Sequence, residues 1–486
     1  MNNTHHKNMP FPVNDIEQAV KTIITENESL KKTISGQGMK ISGLYRRLEK
    51  KDHDILYLRK ENKELKARIA QYEKPVKDSH NSSIAPSKES IAARAVRRTR
   101  SLREKSGRPI GGQVGHEGVT LQQVATPTET NHHFSDFCRD CGASLADMPL
   151  QPLGTRQVVD LPEIKPVVRE HRIYGRQCAC GCMNRGEYPD EARSPICYGP
   201  NIRAMATYLN VVQCLPYERL CETFADCFQL NLSQGTVANM LESMQKSSAQ
   251  MYEEIRLRIK KSPVVGADET GMEVNGKLNW GWVFQTDKLT YLFHDASRGG
   301  TAIDSHFSDG LPDATLMTDR WTPYFNLPVK NHQICLAHLL RDLTYLSDLD
   351  KTQSWSSDMM ELFREAIHKR KTMNWEDIPR AKLLEKLDDL LQRPVDKLHE
   401  DFACLQRSLL KHQNNIFRFL SNPLVPYENN ASERAIRILK VKQKVSGNYR
   451  SSKGADRFTK LLSIADTSRK NGKSRFKALG LIAQRE

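Results

Sequence analysis

The chain has 486 residues, with 73 Lys and Arg against 58 Asp and Glu and a formal net charge of +15, too long for one ordinary domain at roughly 100 to 200 residues each. Such a charge favours a polyanionic partner, because neutralising phosphates releases condensed counterions. No apolar run approaches the roughly 20 residues of a membrane span, and the first 15 residues lack the apolar core of a secretory signal; a membrane partner is excluded and an intracellular protein is expected.

Between Leu30 and Tyr72 a seven-residue repeat places Ile34, Ile41, Leu48, Ile55, Asn62 and Ile69 at one position and Leu30, Leu44, Leu58, Leu65 and Tyr72 at the other. β-branched residues at the first position and leucines at the second favour a two-stranded parallel coiled coil, with Asn62 setting the register. Gln37 and Lys51 interrupt the second position, and Gly36 and Gly38 weaken the early part. Residues 1–75 are therefore expected to dimerise. Residues 76–135 read as a basic linker in which Arg97, Arg98 and Arg100 are candidate DNA contacts. The glycine-rich stretch 111–118 lacks the strand-to-helix setting of a phosphate loop and reads as a tight turn.

The eleven cysteines are an odd number concentrated between Cys138 and Cys227, which favours metal ligation or buried thiols over a disulfide framework. Cys138 and Cys141 form one knuckle, and Cys178, Cys180 and Cys182 offer a second. A structural zinc ion held by Cys138, Cys141, Cys178 and Cys180 is expected over 136–186, with Cys182 as the substitute and His132, His133 and His171 nearby. Residues 158–176 alternate as one or two strands would. Within 187–258, the stretch 217–245 reads as helix, turn, helix. Ser233 is the N-cap of the second helix, whose first turn presents Gln234, Thr236 and Asn239 for base edges.

From 259 to 470 an α/β core is expected. Residues 264–276, 278–286 and 289–297 suggest three strands joined by short turns, and 314–321 a fourth after a crossover, an order that fits an RNase H-like core. Asp268 and Asp319 each close an apolar strand-type run, and Glu433 opens a basic helix. Gathered together, these three carboxylates are the donor set that two magnesium ions would take. Residues 331–346 read as an amphipathic helix, continuing into a helical insertion at about 345–420. Cys335 and His338 read as packing and orientation residues. Glu428 competes as the third acid, and Asn430 with Glu433 also makes a variant capping box. Arg437 and Lys440, one and two turns beyond Glu433, share its face and are candidate phosphate contacts. Residues 471–486 read as a tail.

The strings NSSIAPSKES, GGQVGHEG, FCRDCGASL, YLNVVQCLPYERL, GADETG, CLAHLLRDL and ENNASERAIR follow one another in the order shown by the DDE transposases of the IS66 type, from about residue 80 to 470. The chain resembles that family. The resemblance implies that Asp268, Asp319 and Glu433 are the catalytic triad, with Glu433 preferred over Glu428. It also implies cleavage and strand transfer at the ends of an insertion sequence. The partners would be double-stranded DNA, both terminal repeats and target, a homodimer or higher oligomer, and small accessory proteins of the same element. A bacterial, nucleoid-associated location follows. The alternative is an inactive or domesticated relative acting as a sequence-specific DNA-binding regulator.

Overall fold

The computed structural model describes residues 13–72, 115, 117, 118, 120–395 and 399–485. Arg97, Arg98 and Arg100, with the rest of the basic linker to Val114, lie outside the described residues, as do the side chains of Ile69 and Tyr72. The described chain forms two units, which we treat separately.

The first unit is one helix, Val13–Tyr72, running without a break through Gly36, Gly38 and Gly43. A helix gains stability in water mainly by burying an apolar face, yet here the seam has nothing to bury against. Leu30, Ile34, Ile41, Leu44, Leu48, Ile55, Leu58 and Leu65 are 46% to 66% exposed in the single chain.

In the second unit, the described residues before 200 hold little regular structure. One short hairpin pairs β1 (Gly175–Gln177) with β2 (Met183–Arg185). The strands expected over 158–174 do not form. Their apolar side chains find no partner, Val158 being 93% and Val168 90% exposed, and Pro162 and Pro166 remove the amides a ladder needs. A helical block follows, with Pro200–Thr207, the π-helical turn Tyr208–Val212, Tyr217–Phe228, Gln234–Ser247 and Ala249–Lys260.

The core is a five-stranded mixed sheet in the order β5-β4-β3-β6-β7. Its strands are β3 (Val264–Val274), β4 (Lys277–Gln285), β5 (Thr290–Asp295), β6 (Leu311–Thr318) and β7 (Val329–Ile334). β3, β4 and β5 form an antiparallel meander. The first turn is Asn275-Gly276, both at positive φ, the pair that two-residue hairpins require. β6 returns parallel to β3 through the helix Gly300–Phe307, and β7 adds parallel to β6.

The fifth strand corrects the expectation of a helix from residue 331. The segment Val329–Ile334 pairs with Leu311–Thr318, and the helix starts only at Leu336. Pairing with an already formed edge outweighed local helical periodicity, as tertiary context commonly does. The insertion is helical as expected: Leu336–Leu349, Trp355–Thr372, Arg380–Gln392 and Glu400–Lys411 close around their own apolar cluster. The chain then returns to the sheet through the helices Asn430–Ser446, Ser452–Lys470 and Arg475–Ala483. The last of these falls in the expected tail, but Leu479, Ile482 and Ala483 are buried in the main core, the leucine and isoleucine each contributing about 1.5–3 kcal/mol.

Candidate active site

Parallel pairing aligns the two aspartates. Gly266 lies opposite Met317 on adjacent strands, and two residues beyond each come Asp268 and Asp319. The third acid arrives on the helix Asn430–Ser446, whose start is bolted to the same strand. Asn429 donates through Nδ2 to the Ala267 carbonyl (2.7 Å), Ser432 Oγ donates to Asn429 Oδ1 (2.6 Å), and Gln285 Nε2 donates to Ser432 Oγ (3.2 Å). This close approach requires glycine at 266, where a Cβ would fall 2.6 Å from Ser432 Oγ and 2.8 Å from Asn429 Oδ1. The N-cap residue is Asn429, not Asn430, and it makes no side-chain cap bond. The expected capping box is therefore absent, and Glu433 is not spent on closing its own helix.

Burial first, then the charges of Glu269, Asp319 and Glu433, push the Asp268 carboxyl well above the ordinary carboxylate range. Asp319 is pushed up to about 6 by burial and then Glu269, although the Trp321 amide donates to its Oδ1 at 2.8 Å. Glu433 Oε1 is buried and accepts no hydrogen bond; Arg341 lies 3.6 Å and His338 Nε2 3.9 Å away. Burial, then Arg341 and Arg320, lower His338 to about 3, so it faces Glu433 as a neutral ring. Glu428, the competing third acid, lines a groove elsewhere and is not among the charges acting on Asp268.

A fourth carboxylate, Glu269, was not singled out in the sequence. Its side chain is 3% exposed and fully engaged, receiving Arg298 Nε (3.1 Å) and NH2 (2.8 Å) on Oε1 and the Tyr324 hydroxyl (2.5 Å) on Oε2. Arg298 is clamped between Trp280 and Trp321, 4.6 and 4.1 Å from its guanidinium carbon. The adjacent acidic pair Asp268-Glu269 was the available signal. Cys335 takes the role expected of it, its buried Sγ accepting from the Asn429 amide at 3.2 Å. Burial pushes this thiol up to about 11, unfavourable for a metal ligand.

Arg437 is exposed on the Glu433 face, whereas the Lys440 ammonium donates to the Gly271 carbonyl and braces the strand carrying Asp268. Gln234 and Asn239 are exposed. Thr236 is half-buried, its amide capped by Ser233 Oγ at 3.0 Å, the N-cap expected from the sequence.

The two cysteine knuckles have related turns. Gly142 follows Cys141 and Gly181 follows Cys180, both in the left-handed region. Bonds to the backbone of Cys141 and Asp140, and then to the Cys141 thiol, lower Cys138; the Cys182 backbone, then the Cys178 and Cys182 thiols, lower Cys180. The structure does not join the knuckles: among the described residues no group of three or more His, Cys, Asp or Glu, Asp268, Asp319 and Glu433 included, is placed to hold a metal ion.

The family model described as "Transposase IS66 family" matches residues 195–457, spanning the helical block, the sheet, the insertion and the positions of Asp268, Asp319 and Glu433. A second model, described as a family of unknown function (DUF6444), matches residues 16–122. No curated protein matches the chain.

Proposed function

The chain belongs to the IS66 family of transposases, and on that premise we propose that it cuts and joins DNA at a DDE site formed by Asp268, Asp319 and Glu433 on an RNase H-like core. What supports this reading is the geometry: the parallel register of two adjacent strands sets Asp268 beside Asp319, and Asn429 bonds the start of the Glu433 helix to the strand that carries Asp268. Buried like charges are costly unless a counter-charge joins them. Glu433 Oε1 is buried without a hydrogen-bond partner, and with Asp268 and Asp319 it would supply the hard oxygen donors that divalent magnesium takes. Magnesium, when bound, activates the attacking oxygen and stabilises the leaving one.

The chain's own residues set up that chemistry. On this reading Asp268, Asp319 and Glu433 would hold the metals. The Trp321 amide orients Asp319, and the Asn429–Ser432–Gln285 bonds hold the Glu433 helix against the sheet. Neutral His338 keeps the Glu433 carboxylate available instead of pairing with it as a cation. Arg298 and Tyr324 consume the charge of Glu269, keeping this fourth acid from competing for the metal. Arg437 is exposed to take a DNA phosphate beside the acids.

The remaining modules follow from the same reading. The exposed heptad seam pairs two chains through residues 13–72. The helix pair Tyr217–Phe228 and Gln234–Ser247 offers Gln234, Thr236 and Asn239 to element ends. Zinc, taken by Cys138, Cys141, Cys178 and Cys180, would order the segment around the two knuckles. The partners on this reading are terminal-repeat and target DNA, a second copy of the chain and small accessory proteins.

The test is magnesium-dependent cleavage of DNA carrying the element ends, comparing the native chain with Asp268→Asn, Asp319→Asn and Glu433→Gln. Cleavage by the native chain, lost in each variant while DNA binding persists, supports the site. Binding without cleavage by the native chain, even with accessory proteins present, overturns it in favour of a DNA-binding regulator.

A further inference from the structure

One concavity in the second unit is lined by none of Asp268, Asp319 and Glu433. It is a groove of about 1610 Å³ where the main core and the helical insertion meet. Its walls come from the segments 258–266, 285–289, 370–371 and 423–438, from Met317, from the end of the helix Ser452–Lys470 and from Arg475. The helix that carries Glu433 contributes Ala431, Arg434, Ala435 and Ile438. At 100° per residue these lie on the side opposite Glu433, Arg437 and Lys440. The same helix thus presents one face to the acids and the other to the groove.

The groove is strongly basic. Nine lysines and arginines line it against three carboxylates, Asp287, Glu428 and Asp466. Asp466 is already paired with Arg469 at 2.7 Å and bonded by Thr290, so it neutralises little of the rest. Lys470 is turned inward, donating to Gln285 Oε1 and to the carbonyls of Thr286 and Leu289. Arg258, Lys261, Lys288 and Arg434 are exposed on the rim and make no carboxylate ion pair among the described residues. Like-charged groups crowded into a concave, low-dielectric wall concentrate an anion-attracting field. The volume exceeds the roughly 300–1,000 Å³ of small-molecule sites, and the cations are spread along the rim instead of converging on one point. That distribution suits a run of phosphates better than a single bound anion.

We propose that this groove is a second DNA track, holding the phosphate backbone of duplex DNA on the face of the Glu433 helix opposite the reacting strand. The proposal rests on the transposase reading for its partner, but not on the identity of the catalytic acids. Because the contacts are to phosphates, the track is independent of base sequence and holds flanking or target duplex while the element end lies at the carboxylates. Its placement on the Glu433 helix ties seating of this duplex to the position of the third acid.

The test uses the full chain and a duplex of random sequence, with affinity measured as a function of salt. In the first variant Arg258→Gln, Lys261→Gln, Lys288→Gln and Arg434→Gln are combined. In the second the same charge is removed from the insertion surface by Lys351→Gln, Lys382→Gln, Arg407→Gln and Lys411→Gln. Each phosphate contact contributes about 0.9 to the slope of log affinity against log salt. The groove variant is expected to lower that slope by about 2 to 4 and to bind at least ~10-fold more weakly at low salt, while the insertion variant changes little. Unchanged affinity and slope in the groove variant overturn the proposal, as do equal losses in both variants, which reduce the effect to net charge. Asp268→Asn is expected to bind as the native chain does. Failure of cleavage would therefore count against the catalytic reading and leave the groove standing.

Discussion

Replacing Asp319 by Asn tests the electrostatic argument without DNA. The Asp319 carboxyl rises from 3.8 to about 6, a shift of roughly two units, and each unit corresponds to ~1.4 kcal/mol. A carboxyl whose pKa is higher folded than unfolded binds its proton more tightly in the native state. Its contribution is fully present below the unfolded pKa near 4 and is lost as pH rises through about 6. In metal-free protein at pH 7.5 the ionised Asp319 therefore costs about 3 kcal/mol, which Asp319→Asn removes. The unit concerned spans residues 77–486, about 400 residues. At roughly 2.1 cal/mol/K per residue, 3 kcal/mol corresponds to a rise in Tm of about 3–4 °C. Thermal unfolding in chelator should show the variant and native chain together at pH 4 and the variant higher by that margin at pH 7.5. Magnesium should then raise the native Tm at pH 7.5 and affect the variant less. An equal difference at both pH values, or a variant less stable at pH 7.5, would refute the claim that crowded, buried carboxylates dominate this site.

The other predictions concern the surroundings of the site and the outlying modules. Arg298→Ala strands the buried Glu269 carboxylate, and because Arg298 is itself 39% exposed, the cost should fall below the about 3–5 kcal/mol of breaking a fully buried pair. Chemical denaturation should show that loss, and Arg298→Lys should recover only part of it, because an ammonium lacks the planar fork that two tryptophans sandwich. Leu44→Asp combined with Leu58→Asp places charges in the exposed seam and should convert a dimer into monomers in sedimentation; a native chain that already sediments as a monomer would sink the coiled-coil reading. The full chain prepared without chelator should carry about one zinc per chain by elemental analysis. Cys141→Ser should lose it, and a native chain free of zinc would rule out the four-cysteine site.

Local chemistry made much of this protein legible from its sequence. The short turn expected after the first strand forms at Asn275-Gly276, residues expected within that strand, because few other residues accept positive φ in succession. Ser233 announces a helix start because its hydroxyl can satisfy a free amide. The seven-residue repeat marks the 60-residue helix in the same way. These signals act over a few residues, so composition and spacing suffice to read them. Tertiary structure alone decided that Val329–Ile334 is a strand, since the edge that recruits it is β6. It decided likewise that residues 158–174 remain unpaired, since no sheet edge receives them. It brought Arg298 and Tyr324, 29 and 55 residues along the chain, to Glu269, and it turned Lys440 onto a strand carbonyl. The sequence marks acids that close apolar runs or open a helix, although Asp268 lies inside β3 and not at its end. Whether they share one buried space depends on the parallel register of two strands and on a glycine that lets a helix approach them, relations between distant segments that no local pattern encodes.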